Sequence, residues 1–150
     1  MTTRLVPLLL LAAAVAYACS PRLHSTELAP VRKHSPNAPA LDAALDVDVE
    51  QRVRFALRVT NNADKRVELT FPSGQTHDLV VLDQEGKVVW RWSEGRVFTQ
   101  ALQNRLLASD ETLSYEASWS PSAKHGTFVA VASLRSQNHP VEQRVQFTLP

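Results

Sequence analysis

The sequence predicts an all-β domain: an antiparallel β-sandwich of seven or eight short strands. Three observations lead there. From residue 41 onward the apolar residues recur at every second position, as on a strand with one buried face. Turn-forming clusters interrupt these runs at short intervals. No stretch of that region carries the 3.6-residue apolar period of a helix.

The elements follow in order. Leu45, Val47 and Val49 alternate with Asp46, Asp48 and Glu50. Val53, Phe55, Leu57 and Val59 alternate with Arg52, Arg54, Ala56 and Arg58. Asn61-Asn62-Ala63-Asp64 is a turn cluster whose side chains bond their own backbone. Val67, Leu69 and Phe71 make a short strand that ends at Pro72-Ser73-Gly74. Residues 77–83 and 87–92 form the clearest hairpin, with Gly86 suited to the left-handed position of its loop. Residues 93–111 lack a strand period and close on the turn Ser109-Asp110-Glu111.

Leu113, Tyr115, Ala117 and Trp119 alternate with Thr112, Ser114, Glu116 and Ser118, and Pro121 stops that strand. Phe128, Ala130, Ala132 and Leu134 carry the next alternation. Ser136-Gln137-Asn138-His139-Pro140 turns the chain into Val141, Val145, Phe147 and Leu149. Two stacked antiparallel sheets of the immunoglobulin-like kind bury so many one-sided strands. A small barrel is the alternative.

The N-terminal part reads differently. Arg4 precedes an apolar run over residues 5–16, and Ala16-Tyr17-Ala18 leads to Cys19. This is the pattern of a secretory signal peptide over residues 1–18. The run is short for a spanning helix, which needs about 20 apolar residues. Cys19 is the only cysteine of the 150 residues, so it makes no internal disulfide. Its position after Ala18 resembles a bacterial lipobox, and lipidation at Cys19 is the expectation. Ala16-x-Ala18 equally spells simple cleavage, which would leave a secreted or periplasmic soluble protein. Ser20, not Asp, follows the cysteine, which resembles lipoproteins sent to an outer membrane where the cell has one. Pro21, Pro30, Pro36 and Pro39 break up residues 19–40, which read as a disordered tether. Residues 41–150 are then one domain of about 110 residues, an ordinary size for a self-sufficient core.

Charge and composition exclude several functions. Lys and Arg number 16 against 15 Asp and Glu, with no long basic run. Nucleic acid is therefore not an expected partner, since phosphate binding needs clustered positive charge. His24, His34, His77, His125 and His139 show no metal-ligand spacing, and no metal or cofactor is expected. His77 and Asp78 are adjacent, so on a strand they point to opposite faces. No nucleophile-elbow or phosphate-loop motif is present, and no catalytic residue is assigned. Asp46, Asp48 and Glu50 read as a solvated strand face, with calcium ligation as the lesser alternative.

The middle of the chain carries an ordered set of motifs. These are Phe71-Pro72-Ser73-Gly74-Gln75, Asp78, Gly86-Lys87-Val88-Val89-Trp90-Arg91-Trp92-Ser93, Phe98-Thr99-Gln100-Ala101, Glu111-Thr112-Leu113 and Trp119, followed by Gly126 with Thr127-Phe128. Together they resemble the BsuPI domain, named for a Bacillus intracellular proteinase inhibitor, over about residues 45–135. The resemblance implies an immunoglobulin-like sandwich and a relation to a cytosolic serine-protease inhibitor. Many relatives look exported or lipid-anchored. A signal peptide separates this chain from any cytosolic target, so an inhibited protease here must be a different, exported one. The resemblance carries over no inhibitory residue.

The candidate binding residues are Trp92, Arg91, Arg96, Phe98 and Gln100. Large rings beside arginines make interface hot spots at low entropy cost. Trp90 and Trp119 read as core, whereas Trp92 is open to either role. The segment 93–111 is the candidate recognition loop, with Phe98 to Ala101 alternatively packing back onto the sandwich. The expected function is a protein-binding module on the exported face of the membrane, with protease inhibition as one activity. A non-inhibitory scaffold or a glycan-binding lipoprotein is the alternative, and a glycan binder would hold Trp92 and another ring on an open platform.

Overall fold

A computed structural model describes residues 39–122 and 125–150. The expected signal peptide, Cys19 and the tether through residue 38 lie outside the described residues.

Among the described residues nine strands run in chain order: β1 (Leu41–Val49), β2 (Val53–Asn61), β3 (Val67–Phe71), β4 (His77–Leu82), β5 (Val88–Arg91), β6 (Gln103–Leu107), β7 (Thr112–Trp119), β8 (Gly126–Leu134) and β9 (Val141–Leu149). They form three antiparallel sheets, in the orders β1-β2-β7, β5-β4-β8-β9 and β3-β6. The first two face each other and enclose the core, giving the immunoglobulin-like sandwich that the alternation predicts.

Period two is the reason. In β2, Val53, Phe55, Leu57, Val59 and Asn61 are buried, and the residues between them are not. Phe55 stacks on Trp90 of β5 at 5.7 Å and meets Phe147 of β9 edge-on at 6.0 Å, so one ring ties the two sheets together. Trp119 of β7 lies 6.4 Å from Trp90 and 5.7 Å from Phe128 of β8. Trp119 is buried and Trp90 half-buried against the core, as expected for both. Offset and edge-to-face pairs of this kind add about 1 kcal/mol each beyond the area they bury.

The outward face of β1 and β2 carries the charges. Arg54 pairs with Asp48 and Glu50, each at 2.8 Å, and Arg58 pairs with Asp46. The acidic row is thus matched across the strands by arginines in solvent, where each pair contributes little. No cluster of His, Cys, Asp and Glu among the described residues has metal-holding geometry. No helix among them is long and apolar enough to cross a membrane.

Two turns show why the local sequence works. In the β4–β5 hairpin, the Asp83 carboxylate accepts from the backbone N–H of Glu85 (3.1 Å) and Lys87 (2.8 Å). Gly86 closes that loop at φ 80°, the left-handed conformation expected for it. At the end of β2, fully buried Asn61 does more than make a turn. Its amide nitrogen donates to the carbonyls of Lys65 (2.9 Å), Leu107 (3.0 Å) and Ala108 (2.9 Å), and its amide oxygen accepts from Ala63 N–H (2.9 Å). One side chain therefore joins the ends of β2 and β6 and the approach to β3.

The ninth strand is a correction. Residues 93–111 show no strand period, yet β6 lies within them. Among the described residues β6 pairs only with β3, and four of its five residues are exposed, with Leu107 alone buried. A strand without one consistently buried face has no need of alternating apolar residues, so its sequence shows no period.

Candidate functional site

The site grows from the end of β5. Trp92 follows that strand, and its N–H donates to Leu79 O of β4 at 2.8 Å, extending the ladder by one residue. The pleat places the Trp92 ring on the same side as Trp90, and Arg91 on the opposite side. There Arg91 pairs with the Asp78 carboxylate at 3.0 Å, and Asp78 is only 3% exposed. His77 and Asp78 also part: the His77 ring lies 4.0 Å from the Trp92 ring and 4.2 Å from Tyr115 of β7. Tyr115, His77 and Trp92 thus make one stack that bridges the two main sheets.

Beyond Trp92 the chain turns back over the indole. Glu94 N–H donates to Arg91 O (3.3 Å), Arg96 N–H donates to Ser93 O (3.1 Å), and Gly95 takes φ 73°. The reversal lays the Arg96 guanidinium 4.4 Å from the Trp92 ring centre, a cation–π distance. Arg96 Nε also donates to Trp92 O at 2.8 Å. Phe98 packs on the same indole at 5.8 Å. Val97, between them, is 98% exposed.

The loop is tied down again just past Phe98. Thr99 O accepts from Gly74 N–H at 2.9 Å. A Cβ on Gly74 would lie 2.6 Å from Thr99 Oγ1 and 3.3 Å from Thr99 N, so the close approach needs glycine. Gln103 donates to Thr99 Oγ1 at 3.4 Å, and Gln100 donates to Phe98 O at 3.3 Å. Leu102 is 73% exposed where the loop enters β6, and Leu106 is exposed within that strand.

The BsuPI family model, described as an intracellular proteinase inhibitor, matches residues 41–139. The chain belongs to the BsuPI family. Comparison with curated proteins finds no match. Among solved structures, the chain is similar to a β-glucosidase from Erythrobacter marinus at 17% identity and TM-score 0.42, covering 73% of this chain and 15% of that one. It is similar to the yjhA protein from Bacillus subtilis at 14% identity and TM-score 0.41, covering 72% of this chain and 91% of that one. It is also similar to β-glucosidase 3B from Thermotoga neapolitana at 13% identity and TM-score 0.36, covering 73% of this chain and 17% of that one.

The BsuPI motifs are parts of one construction. Phe71-Pro72-Ser73-Gly74-Gln75 and Phe98-Thr99-Gln100-Ala101, far apart in sequence, meet at the Gly74–Thr99 contact. Asp78 and Arg91 form an ion pair across β4 and β5. Of the five candidate residues, Arg96 and Phe98 join Trp92 in one cluster, and Gln100 braces the same loop. Arg91 belongs to the other face of the sheet. Nothing in the sequence marks His77 and Tyr115 as floor of this cluster, or Val97, Leu102 and Leu106 as its exposed apolar residues.

Burial within the stack pushes the His77 imidazole down to about 4, with repulsion from Arg96 adding to the effect and Asp78 opposing it. The folded state therefore favours neutral His77, whereas the unfolded chain titrates near 6.5. The stability from this group is complete above about pH 6.5 and is lost as pH falls toward 4. The melting temperature of the protein is expected to fall over that window more steeply than that of a His77→Phe variant. Parallel melting curves between pH 7.5 and 4.5 would refute this assignment.

Proposed function

We propose that this BsuPI protein is an exported, lipid-anchored binding module that inhibits a protease. One observation carries the binding surface. Residues 93–102 present exposed Val97 and Leu102 from a loop fastened on both sides of Val97 to a rigid sandwich. A braced apolar loop loses little freedom on docking, which is what a tight protein contact requires. The family description as a proteinase inhibitor supports a protease as the partner. The glycan reading lacks its expected platform, because Trp92 is half-buried beneath Arg96 and Phe98.

Export rests on the apolar leader, and anchoring on the single Cys19 at the end of it. Lipidation would hold the domain at a membrane by one cluster of acyl chains, with residues 20–40 as spacer.

The test of function is a titration of the full chain, held in mild detergent, against a panel of serine proteases. The expected result is a stoichiometric end point with at least one of them. Digestion of the domain, or unchanged activity with a domain shown folded by circular dichroism, would remove inhibition and leave a scaffold. Anchoring is tested by feeding labelled palmitate to the producing cells. Label on the wild type and none on Cys19→Ser is expected; an unlabelled wild type would overturn it.

A further inference from the structure

Within the inhibitory reading, on which this rests, the geometry singles out one side chain. We infer that Val97 is the residue this protein inserts into the primary specificity pocket of its target, and that the target is a protease with a small apolar pocket.

Arg96 is the obvious rival, since an exposed arginine beside an aromatic invites a protease with an acidic pocket. The loop geometry assigns it another task. Its guanidinium lies over Trp92, and its Nε is bonded to Trp92 O. Entering a pocket would break both contacts. Phe98, on the other flank, packs on the same indole and is only partly exposed. The two neighbours of Val97 are thus held by one ring, and Val97 itself is left 98% exposed.

A substrate-like inhibitor needs this arrangement: one side chain offered outward and the residues beside it held still. Here Trp92 supplies the stiffness that disulfides supply in many small inhibitors, and the Gly74–Thr99 bond secures the outgoing chain. Leu106 is the weaker rival. It lies on β6, whose backbone is paired with β3 opposite Glu68, and a ladder-bound strand does not lie freely in a protease cleft. Leu102 borders the same loop and fits a secondary contact.

Valine fixes the class of pocket. Its branched side chain is short, which suits the small pocket of an elastase-type protease. A pocket with a buried acidic group would keep its charge unpaired against valine, at a large cost.

The experiment compares the full-length wild type with Val97→Asp and Val97→Lys, using elastase and trypsin as probes. The wild type is expected to inhibit elastase. Val97→Asp is expected to weaken that inhibition by about 100-fold or more, because a charge then enters an apolar pocket. Val97→Lys is expected to transfer inhibition to trypsin. Both substitutions lie at a fully exposed position, so all three proteins should melt alike. Equal elastase inhibition by the wild type and Val97→Asp would overturn the assignment of Val97 while leaving the inhibitory function intact. A wild type that inhibits trypsin but not elastase would overturn the pocket class. A wild type inactive against every protease tested would overturn the inhibitory function, and this assignment with it.

Discussion

Asn61→Asp is expected to unfold the domain, or to leave it barely stable, in neutral buffer. The wild-type amide donates to three backbone carbonyls while fully buried. Two N–H bonds serve three acceptors, so one of them is shared. Aspartate brings a charged acceptor against three other acceptors and no compensating donor except Ala63 N–H. Asn61→Ala is the milder variant. It leaves those groups without their partner at about 1–3 kcal/mol for each that water fails to reach. A total loss of about 3 kcal/mol would consume much of a typical stability of about 5–15 kcal/mol. Urea denaturation is the measurement, read as the transition midpoint. A midpoint for Asn61→Ala equal to that of the wild type would show that the amide is not the junction described.

Trp92→Ala is the second large effect, and it acts on two properties at once. The ring supports Arg96, Phe98 and His77 together. Its removal opens a cavity over the His77–Tyr115 stack and frees the chain between Gly95 and Thr99. Because Trp92 is only half-buried, a stability loss of about 2–3 kcal/mol is expected, below that of a full core tryptophan. The sharper signature is local. Limited proteolysis followed by mass spectrometry is expected to find new cleavage within residues 95–101, at protease levels that leave the wild-type loop intact. Trp92→Phe, which keeps a ring, should recover most of the protection. New cleavage elsewhere with this loop still resistant would show that the indole is not its clamp.

The strands were legible wherever one face is buried. Val53, Phe55, Leu57 and Val59 announce β2 because each meets the core, and Trp119 reads correctly because it ends a clean alternation. β6 was not legible, since Gln103, Asn104, Arg105 and Leu106 all face solvent. Asn61 shows in the sequence only as a turn former. Its reach to Leu107 and Ala108 depends on where β6 lies, and no local pattern encodes that.

The candidate site divides along the same line. The rings and arginines around residue 92 stand out in sequence, because two of the chain's three tryptophans fall there with arginines beside them. Their directions do not. Strand pleating sends Arg91 to Asp78, and the turn at Gly95 brings Arg96 back over Trp92. Val97 has no signature at all. A valine in an irregular segment looks ordinary until its neighbours are seen to be fastened and it is not.

The grouping of the aromatic rings has an optical consequence. All three tryptophans of the chain touch other rings, and between them they report two places, the sandwich and the loop. Trp90 and Trp119 lie 6.4 Å apart and 25° from parallel, close enough for their electronic transitions to couple and give a near-ultraviolet dichroic band that depends on the two sheets being assembled. Trp92 touches His77, whose protonated form quenches indole emission, and it lies beneath the loop at Arg96. The native chain therefore carries two built-in chromophoric reporters: a dichroic one for the sandwich and a fluorescent one for the loop. A rearrangement of the loop at Arg96 is readable in emission without any added label.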